Sequence, residues 1–448
     1  MLRKWWIELR SSLWFVPTLL VLAAIIAAFG LIELDLQFDH QLQAKVLVPI
    51  LGASAQGARS MLAAIATSMI TVAGVAFSIT IVTLSLASTQ YTPRILRNFM
   101  RDRGNQAVLG AFVSIFTYCL IVLRSIRSPD EGSPFVPLLA VFFGVLLALL
   151  SIGCLIFFIH HVAASIQAST ILSVIAKDTS RAIDDLFPDQ LQDETPEVPP
   201  VSPEEIDWKP VHAPRNGYVQ VIDRDGLHQL VSDEGLVVRL DCVAGDFAVQ
   251  GAPLLFVHRT IESRLADRFR RLYVIGAFRT LQQDADFGFR QIVDIALKAL
   301  SPGVNDTNTA VNCLDYLSAL LLQLAGRKIV SPLPMQNGHT RVFAPTVAFD
   351  EFAAKAFDEI RLSALSNVTI LLQIVRAIGR VATATRDPER HRVLVHQLRL
   401  AIEAADHSVP APYDRARIDR ERARVLSAVH SGDHAVAALA SKRSSSTW

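Results

Sequence analysis

Four stretches within the first 160 residues carry no charged side chain: 13–32, 60–93, 106–123 and 135–159. About 20 consecutive apolar residues cross a bilayer as a helix. Four such runs so close together predict membrane spans, at about 13–32, 61–89, 106–123 and 135–159, rather than buried core helices. Arg3, Lys4 and Arg10 precede the first run, as they would in a signal peptide. The run exceeds a signal h-region, and no small-x-small cleavage site ends it before Glu33 and Asp35. It reads as an uncleaved span.

Beyond His161 the pattern changes. Ile166, Ile171, Ile175, Ile183 and Leu186 form the apolar face of an amphipathic helix running to about 187. Residues 188–210 crowd prolines among Asp189, Asp193, Glu194, Glu197, Glu204, Glu205 and Asp207. Proline density and like charge oppose packing, so this is an extended acidic linker. Residues 218–222, 235–240 and 253–257 read as strands separated by Asp-Gly, Asp-Glu-Gly and Ala-Gly-Asp turns. From 259 the pattern is helical, over 259–283, 287–300, 307–324, 352–385, 388–406 and 412–439, with 341–352 as a hairpin or loop. The expected fold is an α-helical membrane protein with four transmembrane helices and a cytoplasmic α+β region. Its parts are a membrane domain with a helical extension (1–187), the linker (188–210), a small β-barrel-like module (211–258), a helical domain (259–440) and a disordered tail (441–448).

Composition sharpens this division. The 448 residues are 51% hydrophobic and 19% charged, against about 25% charged in a soluble domain. The deficit lies in the spans. A net charge of +1 argues against a general nucleic-acid binder. Cys119, Cys154, Cys242 and Cys313 are far apart, which excludes a disulfide-dense domain or a cysteine-cluster zinc site. No metal or cofactor is expected. No P-loop, GxSxG, HExxH or strand–GxGxxG–helix pattern occurs, and no nucleophile–base pair is visible, so no enzyme is expected.

Basic flanks set the expected orientation. Arg3, Lys4 and Arg10 place the N-terminus in the cytoplasm; Arg94, Arg97, Arg101 and Arg103 place the loop after the second span there too. Arg124 and Arg127, in the outer loop, run mildly against the rule. The expected location is a bacterial inner membrane, multi-pass, with both termini cytoplasmic. The arginine cluster either fixes topology or also meets anionic headgroups.

The second span is unusual. Thr67, Thr71, Gly74, Ser78, Ser85 and Thr89 advance in steps of three, four and seven, which keeps them on one helix face. Such a stripe lets helices pack closely, or lines a wet path when copies surround an axis. Its hydroxyls can equally bond carbonyls of the preceding turn. A helix this long is expected to tilt or to project past the bilayer. Met69, Ile70, Val75, Phe77, Ile79, Ile81 and Leu84 mark the opposite face. His160 and His161 end the fourth span; adjacent helical positions diverge by about 100°, so they read as interfacial rather than as metal ligands.

Residues 301–309 join two helices. Pro302 and Gly303 stop the first, and Asn305 or Asp306 caps the second. The alternative is a polar site made of Ser301, Asn305 and Asp306 with Asp284, Arg290, Gln291 and Asp294. Asp294 and Lys298, four apart, also read as a surface ion pair.

Residues 245–254 (Gly245-Asp246-Phe247-Ala248-Val249-Gln250-Gly251-Ala252-Pro253-Leu254) resemble the second half-motif of biotinyl/lipoyl-type barrel-sandwich domains. The resemblance implies glycine turns and a leucine in the core. The modifiable lysine is absent, since no Lys lies between Lys209 and Lys298; a structural or docking module is expected instead of a carrier. Two longer segments, Gln90-Tyr91-Thr92-Pro93-Arg94-Ile95-Leu96-Arg97 with Arg101-Asp102-Arg103 and Leu109-Gly110, and Phe287-Gly288-Phe289-Arg290-Gln291-Ile292-Val293-Asp294-Ile295-Ala296 with Ala299-Leu300-Ser301-Pro302-Gly303-Val304-Asn305-Asp306, resemble an uncharacterised bacterial membrane-protein family, the domain of unknown function numbered 2254. Thr307-Asn308 stands where that family is expected to carry a proline-threonine pair. The resemblance implies a multi-span membrane protein with a cytoplasmic domain and no established activity.

Two functions are compatible with these features. One is an oligomeric channel or transporter for small ions, lined by the second span and gated by the cytoplasmic domain. The other is a membrane-anchored sensor or scaffold binding a cytoplasmic ligand. The expected partners are the bilayer, further copies of the chain, and a small ion or cytoplasmic ligand.

Overall fold

The computed structural model describes residues 14–37, 54–90, 102–127, 135–165, 167–187, 207–329 and 342–444. The chain divides into two compact units, Met1–Thr170 and Ile171–Trp448.

Among the described residues of the first unit there are four helices: α1 (Phe15–Gln37), α2 (Ala55–Gln90), α3 (Arg103–Ser125) and α4 (Leu138–Ser165). Each is long and apolar enough to cross a membrane. α3 sits at the centre, half of its apolar window buried against the other three. Close approach is built in: a Cβ on Gly110 would lie 2.8 Å from Pro17 Cα, and one on Gly144 would lie 3.0 Å from Leu62 Cδ2. α2 packs through Ala58, Leu62, Ala66, Met69, Ala73 and Ala76. A face of large apolar residues is expected opposite the hydroxyl stripe. Of that set Met69 packs inward, while Ile70, Val75, Phe77, Ile79 and Ile81 are exposed. Large side chains are as well solvated by lipid as by protein, so close packing selects the alanines.

Polar contacts close both ends of the bundle. Asp35, in the last turn of α1 and 1% exposed, accepts from Leu139 N (3.1 Å) and Ala140 N (3.1 Å). These are free N–H groups in the first turn of α4, where Pro137 offers no side-chain cap. Arg59 of α2 donates to Ile126 O at the end of α3 (2.7 Å). Tyr118 OH donates to Ala140 O (2.7 Å). At the opposite end Asp102 caps α3 through Gly104 N (2.8 Å) and meets His161 Nε2 at 2.5 Å. The close fit of His161 to Gly104, 2.9 Å from a Cβ there, shows why residue 104 is small. Successive helices therefore run in alternating directions.

The second unit begins within α5 (Ala168–Leu186), which the sequence reading grouped with the spans. Its apolar face is buried within this unit, and Gln323 and Arg327 reach it through Ser180 O and Asp184. Two open sheets follow in place of the expected closed barrel. One is four-stranded, β1 (Lys209–His212), β5 (Pro253–Val257), β3 (Val238–Leu240) and β7 (Val342–Phe343) in that order; β3 and β7 are parallel, the other pairs antiparallel. The other is antiparallel, with order β4 (Phe247–Ala248), β2 (Gly217–Ile222) and β6 (Tyr273–Gly276). Among the described residues, no strand pairing joins the two sheets into a cylinder. Helix α6 (Arg224–Asp233), begun by its Asp223 cap on Gly226 N (3.1 Å), interrupts the run of strands where a turn was expected.

The expected helix over 259–283 is only α7 (Ser263–Arg271); β6 and a 3₁₀ turn at Leu281–Gln283 follow. The β module thus reaches beyond 258 and draws β7 from further still. Helices α8 (Ala285–Leu300), α9 (Thr307–Ala325), α10 (Phe349–Ser363), α11 (Val368–Ala384), α12 (Pro388–Ser408) and α13 (Pro412–Ser444) complete the unit. The single helix expected over 352–385 is two, because Ser366 takes φ +69° and Asn367 caps the second through Ile370 N (3.3 Å). Helix also enters the expected tail, to Ser444, and 445–448 lie outside the described residues. Most of the acidic linker, 188–206, lies outside them too.

Candidate functional site

Thr67, Thr71, Gly74, Ser78 and Ser85 all lie on the exposed side of α2. A Cβ on Gly74 would meet nothing within 4 Å. Two hydroxyls are used on their own helix: Thr71 Oγ1 donates to Thr67 O (2.8 Å) and Ser78 Oγ to Gly74 O (2.9 Å). Thr80 and Thr83 face the packed side instead, Thr80 reaching Asn105 Oδ1 at 3.3 Å. The side chain of Thr89 lies outside the described residues, as do Arg94, Arg97 and Arg101; Arg103 opens α3.

The polar residues of the second unit do not form one cluster. Asp284 precedes α8 and Ser301 follows it, and the 16-residue helix between them is about 24 Å long at 1.5 Å per residue. At the far end Asn305 takes φ +50°, and Asn305 N donates to Ser301 O (2.9 Å). Ser301 Oγ donates to Lys298 O (2.6 Å). Asp306 caps α9, accepting from Thr309 N (3.0 Å) and Thr309 Oγ1 (2.5 Å). The Thr309 hydroxyl holds its carboxyl below the ordinary range. Midway along α8, Arg290 pairs with Asp294 (2.7 Å) and with Glu359 of α10. Gln291 is buried, and its Oε1 has no hydrogen-bond partner among the described residues.

The near end is denser. Asp284, 4% exposed, caps α8 through Phe287 N (2.9 Å) and receives Arg279 Nε (2.8 Å) and Nη2 (2.9 Å). Asp286 receives Arg279 Nη2 (3.1 Å) and Lys355. Burial pushes the Asp284 carboxyl up despite the Arg279 bonds. Burial also opposes the Arg279 charge, but its two carboxylate partners outweigh that and raise its pKa. The turn at Gly245 (φ +102°) lies against this pair. Leu254, the leucine of the barrel-sandwich motif, is fully buried. A cavity of about 80 Å³ opens beside Asp284 and Asp286, lined also by Arg224, Thr346, Phe187 and Phe352. Arg279, Lys355, Arg224 and Thr346 were absent from the sequence reading. Arg279, five residues before Asp284, was within reach of it; the others come together only through the fold. Among the described residues, no group of three His, Cys, Asp or Glu is arranged to hold a metal ion.

Residues 10–380 match the protein family described as Predicted membrane protein (DUF2254). Relatives include an uncharacterized protein of Mycobacterium bovis and one of Mycobacterium tuberculosis strain H37Rv. Each is 33% identical over 380 residues, covering 83% of this chain and 73% of the relative. No solved structure matches the chain.

Proposed function

The chain belongs to the DUF2254 family of predicted membrane proteins, and on that premise we propose a homo-oligomeric channel or transporter of the bacterial inner membrane. The α2 helices surround an axial path for small ions, and the second unit, on the cytoplasmic side, regulates it without catalysis. The observation that carries this reading is the outward stripe of Thr67, Thr71, Gly74, Ser78 and Ser85. Packing within the chain uses the alanine face instead, and lipid has no use for a small hydroxyl-bearing face. Contact between copies around a polar path does. The basic flanks favour the cytoplasmic side for both termini.

The test is ion flux through proteoliposomes, paired with the mass of the purified assembly. Wild-type protein should conduct as an oligomer, and Ser78→Phe should abolish flux while the oligomer persists. An inert monomer overturns the reading. The back-bonded hydroxyls of Thr71 and Ser78, which need no water, favour a second reading, a membrane-anchored ligand sensor. It predicts ligand binding to the second unit with no flux.

A further inference from the structure

We propose that the cavity beside α6 binds a small planar monoanion, with a short-chain carboxylate of acetate size as the best fit, held by Arg224 and Thr346. The proposal is independent of whether α2 conducts ions.

Arg224 is the first residue of α6 and is half-buried. Among the described residues, no hydrogen bond or ion pair engages its guanidinium, which carries five N–H donors. A half-buried cation with no bonded partner keeps part of its desolvation cost. Burial lowers its pKa, and the field of Asp185 only partly compensates.

The neighbouring charges are already committed. Asp284 is held by both Arg279 nitrogens, and Asp286 by Arg279 and Lys355. Gln283 exchanges two hydrogen bonds with the Ile222 backbone, at 2.9 and 3.0 Å. Among the described residues that line the cavity, Arg224 is thus the charged group without a bonded partner, and Asp185, outside the lining, acts on it through its field alone. Thr346 Oγ1, also on its wall, is buried and has no hydrogen-bond partner among the described residues. A guanidinium fork and a hydroxyl donor suit the two oxygens of a carboxylate.

Size and lining narrow the class. A cavity of about 150 Å³ accommodates the six carbons of benzene, so 80 Å³ corresponds to about three heavy atoms by the same scale, and the open side of the cavity leaves room for one more. Acetate, nitrate and bicarbonate have about four. Phe187, Leu240, Val347 and Phe352 make the remaining wall apolar, which favours a methyl group over a third oxygen.

The test is calorimetric titration of the full chain in lipid nanodiscs with acetate, propionate, nitrate, bicarbonate and inorganic phosphate. Acetate should bind at one site per chain, more tightly than propionate, nitrate or bicarbonate, and phosphate should not compete. Arg224→Gln should weaken acetate about tenfold or more, the loss of a charge-assisted bond. Thr346→Val should weaken it about threefold, and Arg224→Lys should bind with intermediate affinity. If Arg224→Gln does not fold, Arg224→Lys and Thr346→Val carry the test. The proposal is overturned by wild-type protein that shows no saturable monocarboxylate binding, by affinities unchanged in these variants, or by phosphate binding more tightly than acetate.

Discussion

Gly245 stands so close to Asp284 that a Cβ at position 245 would lie 2.4 Å from the Asp284 carboxylate oxygen Oδ2. The same glycine has φ +102°, a backbone conformation that L side chains rarely adopt. Asp284 is fixed in turn by Arg279 and by capping α8. Gly245→Ala therefore meets both strain and a clash, and neither neighbour is free to retreat. The expected loss is about 2 kcal/mol or more, read as a lower denaturant midpoint for the second unit. Gly251→Ala is the control: its φ of +83° carries strain, but a Cβ there meets nothing within 4 Å. It should cost less.

Much of this arrangement was legible in the sequence, for reasons that differ by region. The spans are visible because lipid tolerates no charge along some twenty residues. Helices α8, α9 and α12 were readable because each has a cap, start or stop residue at its edge: Asn305 or Asp306 before α9, Pro302 after α8, Pro388 at the start of α12. The β region was misread where local signals are weak. α6 is ten residues with a glycine inside it, and its fixing interaction is the Asp223 cap. β6 follows an arginine-rich helix whose apolar positions continue smoothly into the strand, and its partner β2 is some fifty residues earlier. The site residues split in the same way. The α9 cap could be narrowed to Asn305 or Asp306 from spacing, and the structure gives it to Asp306. Nothing local foretold that Lys355 reaches Asp286, or that Thr346 and Arg224 share a cavity, because both depend on long-range contacts.

Gly288 and Thr179 should be energetically coupled. A Cβ on Gly288 would lie 2.0 Å from Thr179 Oγ1 and 2.6 Å from its Cγ2, so α8 and α5 touch almost backbone to side chain. Thr179 is fully buried and donates to Ile175 O (2.7 Å). Gly288→Ala should destabilise by about 1–3 kcal/mol through overpacking. Thr179→Gly, introduced beside it, should recover part of that loss. A double-mutant cycle of unfolding free energies measures the coupling, expected at 0.5 kcal/mol or more, in roughly the range for residues in contact.

The Asp306 cap carries a pH signature. Its carboxyl is held below its ordinary value of 3.8 by the Thr309 hydroxyl and backbone. A lowered folded-state pKa gives stability that is complete above the unfolded value and is lost as pH falls through the folded one. Asp306→Asn keeps a capping oxygen but not the charge. The stability gap between wild type and Asp306→Asn should be constant at neutral pH and should shrink only below about pH 4. Asp306→Ala should cost about 1 kcal/mol at pH 7. Chemical denaturation at several pH values checks both.

Asp35 should be more than a surface charge at a helix end. It is 1% exposed and satisfies two N–H groups of α4. Asp35→Ala leaves both without that partner, and the expected cost is about 1–3 kcal/mol. Asp35→Asn retains one acceptor oxygen and should cost less. Melting of the detergent-purified protein followed by tryptophan fluorescence ranks the three proteins.

The contacts made by Asp35 and Arg59 also bear on biogenesis. Residues of α1 and α2, which leave the ribosome first, hold the carbonyl end of α3 and the amide end of α4. In chain order, the partners of the later hairpin's backbone ends therefore come first, and the α3–α4 pair expressed without the first two helices would lose both sets of contacts.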